Sequence, residues 1–272
     1  MFNGIKKIAR KFRRKQLIPI KCSVENGSIL KGKTALICGG TGDIGKAIVD
    51  EFYRQGCNVI VSGTNADKLS KIKEEYAGVK CIVINLNDVD SLEEKVSEAG
   101  QLAGCNIDIL VNATGVGGSF EFGKITPEQW DNVMNINLRG AFFLCQAVGN
   151  YMINNKIKGH ILNVSSASAL RPAWTPYQIS KWGIKGLTVG LADKLLPHGI
   201  IVNAIAPGPV ATKMLNKGEN DSIDMPSQPS GRYALPEEIA SLAAYMVSDL
   251  GNLIVGDTFY ITGGSGIVSL HH

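Results

Sequence analysis

The chain has 272 residues, 44% of them hydrophobic, which suffices to bury the core of one α/β domain, while no apolar run is long enough to predict a membrane span. Its six cysteines lack C-x-x-C spacing and its four histidines lack any cluster, so a reducing, cytoplasmic setting without a metal site is expected. The formal net charge of +4 is uneven: Lys6, Lys7, Arg10, Lys11, Arg13, Arg14 and Lys15 crowd residues 6 to 15, with no nucleic-acid recognition module around them to make nucleic acid an expected partner.

In chain order, residues 1–30 form a basic extension and residues 31–272 one domain. Phe2, Ile5, Ile8, Ala9 and Phe12 recur at three-to-four spacing among the bases, and Pro19 would end a helix there. Two readings stay open: an amphipathic helix lying on the inner membrane surface or an acidic partner, and a disordered solubilising tail. From Lys33 the pattern becomes regular. Strands are predicted at 34–38, 59–62, 81–84, 109–112, 159–164, 200–205 and 258–261, with helices over 45–55 and 66–76. Strands alternating with helices imply βαβ units, hence a doubly wound parallel sheet flanked by helices. Between Met214 and Tyr233 a polar stretch reads as a mobile loop or lid.

Two motifs carry chemistry. Gly39-Gly40-Thr41-Gly42-Asp43-Ile44-Gly45 joins the first strand to the first helix. In that context glycines let the backbone approach a pyrophosphate, and the helix offers unpaired N–H groups and its positive dipole end. Asp43 is expected to cap the helix and to point away from the phosphates. Where an acid would select NAD by binding a ribose 2′-hydroxyl stand Gly63 and Thr64, so nothing repels a 2′-phosphate; Lys46 and Lys68 are the nearest bases, which leans the expectation to NADP(H) over NAD(H).

Further on, Tyr177-Gln178-Ile179-Ser180-Lys181 places a phenol and an ammonium one helical turn apart, on one face. At about 4 Å and an effective dielectric of about 20, the ammonium would favour the phenolate by up to about 4 kcal/mol, roughly three pKa units. Such a tyrosine exchanges protons with an alcohol or carbonyl near neutral pH. It follows Ile161-Leu162-Asn163-Val164-Ser165-Ser166, a strand ending in hydroxyls.

With these motifs in this order, the chain resembles the short-chain dehydrogenase/reductase family, 3-oxoacyl-ACP reductases included, over residues 31 to 268. The family's T-G-x-x-x-G-x-G turn is matched by Cys38 to Gly45, with Cys38 and Asp43 as departures, and its N-N-A-G segment by Asn112-Ala113-Thr114-Gly115. The resemblance implies a Rossmann-type fold and a catalytic set of Asn137, Ser166, Tyr177 and Lys181, Ser165 and Ser168 being alternative serines because the gap from Ser166 to Tyr177 is short. It implies dinucleotide contacts at Gly39, Thr41, Asp43, Ile44, Gly45, Thr64, Asn85, Leu86, Asn112, Ala113 and Gly115, at Tyr177 and Lys181, and at Pro207, Gly208, Val210 and Thr212.

The function it implies is interconversion of a carbonyl and a secondary alcohol with NAD(P)(H), on a small molecule such as a 3-oxoacyl thioester or a sugar or polyol, in a homotetramer or dimer. Asn137 would support a water leading from the lysine to solvent. Trp174, Pro176, Gly117-Gly118-Ser119-Phe120 and the 214–233 loop are expected around the substrate. The rival readings are a silent dinucleotide-binding scaffold tethered by its basic N-terminus, and an epimerase or dehydratase that recycles its cofactor.

Overall fold

The structure is a computed structural model describing residues 28–215 and 221–269, so the basic segment expected over residues 1 to 20 lies outside the described residues. Its seven strands are β1 (Thr34–Cys38), β2 (Asn58–Gly63), β3 (Lys80–Val83), β4 (Ile109–Asn112), β5 (His160–Val164), β6 (Ile201–Pro207) and β7 (Thr258–Ile261). They form one sheet in the order β3-β2-β1-β4-β5-β6-β7, and every pairing is parallel. Helices α1 (Asp43–Arg54), α2 (Ala66–Glu75), α3 (Leu92–Ala103), α4 (Pro127–Met134), α5 (Ala141–Asn154), α6 (Pro176–Leu195) and α7 (Pro236–Met246) connect them.

Alternation along each strand explains the near-continuous apolar runs, since both faces of the sheet are covered. Ala35 and Ile37 of β1, with Val59, Val61, Ile109 and Val111, pack against α1 and α7. Leu36 and Cys38, with Ile60 and Leu110, pack against α3, α5 and the end of α6. Cys38, Cys57 and Cys145 are buried, and burial pushes each thiol up to about 12, so they behave as small hydrophobes rather than nucleophiles.

Between β1 and β4 the strand order reverses, opening a crevice over the carboxyl ends of the strands where such folds bind ligands. A buried polar seam runs beneath it. Asn163 of β5 sits between Asn112 (3.5 Å), the Cys145 thiol (3.4 Å) and the Thr188 hydroxyl (3.3 Å).

The stretch read as a mobile loop or lid carries backbone hydrogen bonds of its own where described. Residues 221–233 fold back on themselves through Met225 N–H to Gly231 O and Tyr233 N–H to Ile223 O, both 2.8 Å. A two-pronged Arg232–Glu238 contact, 2.7 and 2.8 Å, pins this turn to the start of α7. Among the described residues no helix is long and apolar enough to cross a membrane.

Candidate active site

Helix α6 starts at a capping box: Thr175 Oγ1 accepts the Gln178 N–H, the Gln178 side chain accepts the Thr175 N–H, and Pro176 takes the first helical position. Its buried positions include Ser180, Lys181, Ile184, Thr188 and Leu195, a stripe that turns Lys181 inward with Tyr177 one turn before it. Lys181 is 5% exposed; its ammonium donates to the Val164 carbonyl at 3.0 Å and lies 5.6 Å from the centre of the Tyr177 ring. The end of β5 is bolted to the same helix, because Ser165 Oγ donates to the Lys181 carbonyl at 3.0 Å. That bond uses the Ser165 hydroxyl proton on the helix backbone. Ser166 holds the place beside Tyr177, near enough for its hydroxyl to oppose the effect of burial on the phenol, and accepts the Ser168 N–H at 3.1 Å.

The electrostatics correct one expectation. Burial raises the Tyr177 phenol above its ordinary value, opposed by the Ser166 hydrogen bond, so the expected depression by Lys181 is not present here. Loss of water costs a phenolate more than an ammonium directed at Val164 returns. The same burial pulls Lys181 down to about 8. The pair therefore holds an ammonium close to its titration range, next to a neutral phenol.

Asn137 lies in a π-helical turn, Asn135–Gly140, that interrupts the passage from α4 to α5. It is 1% exposed, its Oδ1 accepts the Val116 N–H at 2.8 Å, and its Nδ2 donates to the Val116 carbonyl (2.9 Å) and to Ser180 Oγ (3.2 Å). Both amide protons are thus spent on protein. A water chain could use only the oxygen atoms of Asn137, and what its side chain visibly does is hold the loop after β4 against α6. Gly115 in that loop makes the close approach possible: a Cβ there would stand 3.3 Å from Lys181 Nζ and 3.6 Å from Asn137 Oδ1.

The glycine turn has the form a pyrophosphate requires. Gly39 has φ +78°, and a Cβ on it would stand 2.9 Å from the Ala113 backbone; one on Gly45 would run into the Gly39 carbonyl. Gly42 is the N-cap of α1, with no side chain bonded to the helix's first N–H groups. Those donors and the glycine cradle fit a dinucleotide. Asp43 departs from expectation, for it caps nothing: its carboxylate accepts the Lys213 N–H at 2.6 Å. Thr41 leans over Gly63, where a Cβ would meet its hydroxyl at 3.0 Å. Lys46 faces Glu75 (2.9 Å), Asp50 (3.6 Å) and the Tyr76 hydroxyl (2.8 Å), so it is spent on α1 and α2 instead of on the ribose position.

A cavity of about 790 Å³ unites these parts. Of the sequence-predicted residues it is lined by Ile44, Ala113, Gly115, Ser166, Tyr177, Lys181, Pro207, Gly208, Val210 and Thr212. Gly39, Thr41, Asp43 and Gly45 form the turn beside it. Thr64 and Asn85 are exposed beyond the ends of β2 and β3, whereas Leu86, Asn112 and Asn137 are buried behind the wall. Gly117, Gly118, Ser119, Met214 and Leu215 line the cavity as expected of the substrate side, but Trp174, Pro176 and Phe120 do not. Trp174 instead packs edge-on against Phe122 at 5.9 Å, and Pro176 is consumed in starting α6. The sequence reading missed Arg171 and Ser265 in the lining. A signal existed for the first: Arg171 is the one charged residue between Ser166 and Lys181.

A doubly wound sheet, a phosphate turn at its switch point and a Ser-Tyr-Lys cluster facing the same cavity define a dinucleotide-dependent oxidoreductase. The family model described as short chain dehydrogenase matches residues 33–222, and the chain belongs to that family. It is 37% identical over 243 residues to the 3-oxoacyl-[acyl-carrier-protein] reductase FabG of Thermotoga maritima, covering 86% of this chain and 98% of that one. Glucose 1-dehydrogenase 2 of Bacillus subtilis is 33% identical over 246 residues, covering 86% and 95%. Among solved structures, a short-chain dehydrogenase/reductase from Serratia marcescens superposes with a TM-score of 0.78 at 31% identity, covering 87% of this chain and 99% of that one. The chain is an NAD(P)-dependent oxidoreductase that interconverts a carbonyl and a secondary alcohol.

Proposed function

We propose that Tyr177, Ser166, Lys181 and Asn137 perform the carbonyl–alcohol interconversion on a small polar substrate, with NADP(H) preferred over NAD(H). The observation that carries this is the meeting of the Tyr177 phenol, the Ser166 hydroxyl and the buried Lys181 ammonium in the cavity beside the glycine turn.

When bound, the dinucleotide supplies hydride-transfer chemistry, and the residues that would hold it are the Gly39–Gly45 turn, Ala113, Gly115, Lys181 and the Pro207–Thr212 segment. In the reducing direction Tyr177 Oη gives its proton to the carbonyl oxygen, and in oxidation it takes the alcohol proton. Ser166 donates a hydrogen bond to that same oxygen as charge builds on it. The Lys181 ammonium lowers the cost of the phenolate left behind, and Asn137 keeps the loop carrying Gly115 in place against it.

The lean to NADP(H) rests on the absence of a carboxylate at Gly63 and Thr64 and on Lys68 nearby, Lys46 being engaged elsewhere. The substrate class is drawn from relatives, one of them a 3-oxoacyl-[acyl-carrier-protein] reductase and another a glucose dehydrogenase. Oligomerisation through the face of Leu138, Phe142, Phe143 and Leu187 is supported by a groove there and by Phe142 being 42% exposed.

The test is a coupled assay of NADPH and NADH oxidation with 3-oxoacyl thioesters, ketoses and cyclic ketones. Net consumption of reduced cofactor is expected, faster with NADPH. Cofactor binding without turnover on the whole panel would favour the scaffold reading, and product isomerisation without net consumption would favour an epimerase.

A further inference from the structure

The cavity's described lining contains two cations, Lys181 and Arg171, and no Asp or Glu. Lys181 is buried against Val164 and Tyr177, but Arg171 serves neither the proton path nor the glycine turn. It follows Ser166 by five residues and lines the cavity together with Gly117–Ser119 and Met214. Its Nη2 donates to Ser265 Oγ at 2.5 Å, and Ser265, 2% exposed, also lines the cavity. Gly266 gives the stem room, since a Cβ there would stand 3.1 Å from Arg171 Nε. The backbone is fixed too, because the Arg171 carbonyl accepts the Trp182 indole N–H at 3.0 Å. Among the described residues no carboxylate pairs with Arg171, although a guanidinium has five donors and matches a carboxylate or phosphate in planar, two-pronged fashion.

An exposed, oriented guanidinium with no carboxylate partner among the described residues, in a cavity that also presents the hydroxyls of Ser119, Ser168 and Ser265, is a recognition element for an anion. Resting on the oxidoreductase reading above, we propose that Arg171 is the specificity-determining residue of this enzyme and that its substrate is a small carbonyl compound, or the corresponding alcohol, carrying a carboxylate or phosphate a few carbons from the reacting centre. Hydroxyls of Ser119, Ser168 and Ser265 supply partners for oxygens along such a chain. A neutral 3-oxoacyl thioester leaves Arg171 without a counter-charge.

The experiment compares matched pairs on full-length protein with NADPH. One arm sets 4-oxopentanoate and 5-oxohexanoate against their methyl esters; the other sets dihydroxyacetone phosphate against dihydroxyacetone. The expected result is that one arm's charged member exceeds its neutral partner in kcat/KM by about tenfold or more, through KM, because a charge-assisted hydrogen bond is worth about that factor. Arg171→Gln should collapse the ratio toward one, Arg171→Lys should keep part of it, and added salt should reduce it. Which arm responds distinguishes carboxylate from phosphate.

Calorimetric titration of the same acids and phosphate into the NADPH-saturated protein gives a second readout, with binding weakened about tenfold by Arg171→Gln. Equal handling of both members of every pair, a preference for the 3-oxobutanoyl thioester of N-acetylcysteamine, or a charged preference that survives Arg171→Gln would overturn the proposal. Absence of turnover together with Arg171-dependent anion binding would count against the reaction and not against the anion site.

Discussion

The Asp43 carboxylate accepts the backbone N–H of Lys213 at 2.6 Å across 170 residues of chain. It joins the Gly39–Gly45 turn to a segment whose Thr212, Met214 and Leu215 wall the cavity. A glycine at position 43, as in the family motif, could make no such bond. The tether predicts that Asp43→Ala frees this segment, so that trypsin cuts after the exposed Lys213 several-fold faster and the KM for NADPH rises. Asp43→Asn keeps an acceptor and should keep the slow cleavage. Digestion rates that match in Asp43→Ala and the parent would show that the bond restrains nothing.

Tyr177→Phe should retain the ring packing and the fold while removing the proposed proton donor. Turnover is expected to drop by about 10²–10⁴-fold, with NADPH affinity within about twofold of the parent. Fluorescence titration of NADPH beside single-turnover kinetics separates the two, and a kcat comparable to the parent's would remove Tyr177 from the proton path.

Lys181 supplies a pH signature with a definite sign. Its amine titrates at about 8 when folded against an ordinary 10.5, so below pH 8 the folded protein carries the full cost of a buried charge. Between pH 8 and 10.5 the unfolded chain binds more protons than the native one, and this group's contribution to stability rises with pH. Lys181→Met should therefore be more stable than the parent at pH 7, by up to about 3 kcal/mol less whatever the bond to Val164 contributed, and the gap should close by pH 10.5. Urea unfolding at the two pH values measures it; a gap that widens with pH would contradict the assignment.

At Gly39, φ of +78° and the approach of the Ala113 backbone leave no room for a methyl group. Gly39→Ala is expected to cost about 1–3 kcal/mol of stability and to weaken dinucleotide binding at least tenfold. Gly78→Ala is the control: the same left-handed geometry, φ +85°, but nothing within 4 Å of a new Cβ, so only the backbone cost should appear.

Much of this was legible in the sequence because buried parallel strands are read from their own composition. Ile109-Leu110-Val111-Asn112 and Thr34-Ala35-Leu36-Ile37-Cys38 could be bounded to the residue, being apolar on both faces and closed by polar ends. Third-strand boundaries slipped by one, to Lys80–Val83, since edge strand β3 buries little and its alternation is weak. Helix α1 begins two residues before the expected start because glycine, not a hydroxyl side chain, occupies its N-cap. The Tyr177 and Lys181 pair was visible because helical spacing is local. The direction of the tyrosine's titration was not, since it depends on burial by β5 and α6 together, and neither were the Asp43–Lys213 and Arg171–Ser265 bonds, which join distant parts of the chain.

The amide of Asn163, with no exposed surface, meets Asn112, Cys145 and Thr188 from one strand and two helices. Its partners coincide in only one threading of the sheet. A slip of β5 by a single residue would turn the amide to the opposite face and abandon it in hydrocarbon, at a cost of roughly 1–3 kcal/mol for each polar group left alone. Hydrocarbon packing alone tolerates neighbouring alignments of such similar valine- and isoleucine-rich segments. The seam therefore fixes one alignment of β5 against β4, α5 and α6, the helix that supplies Thr188 and also carries Tyr177 and Lys181.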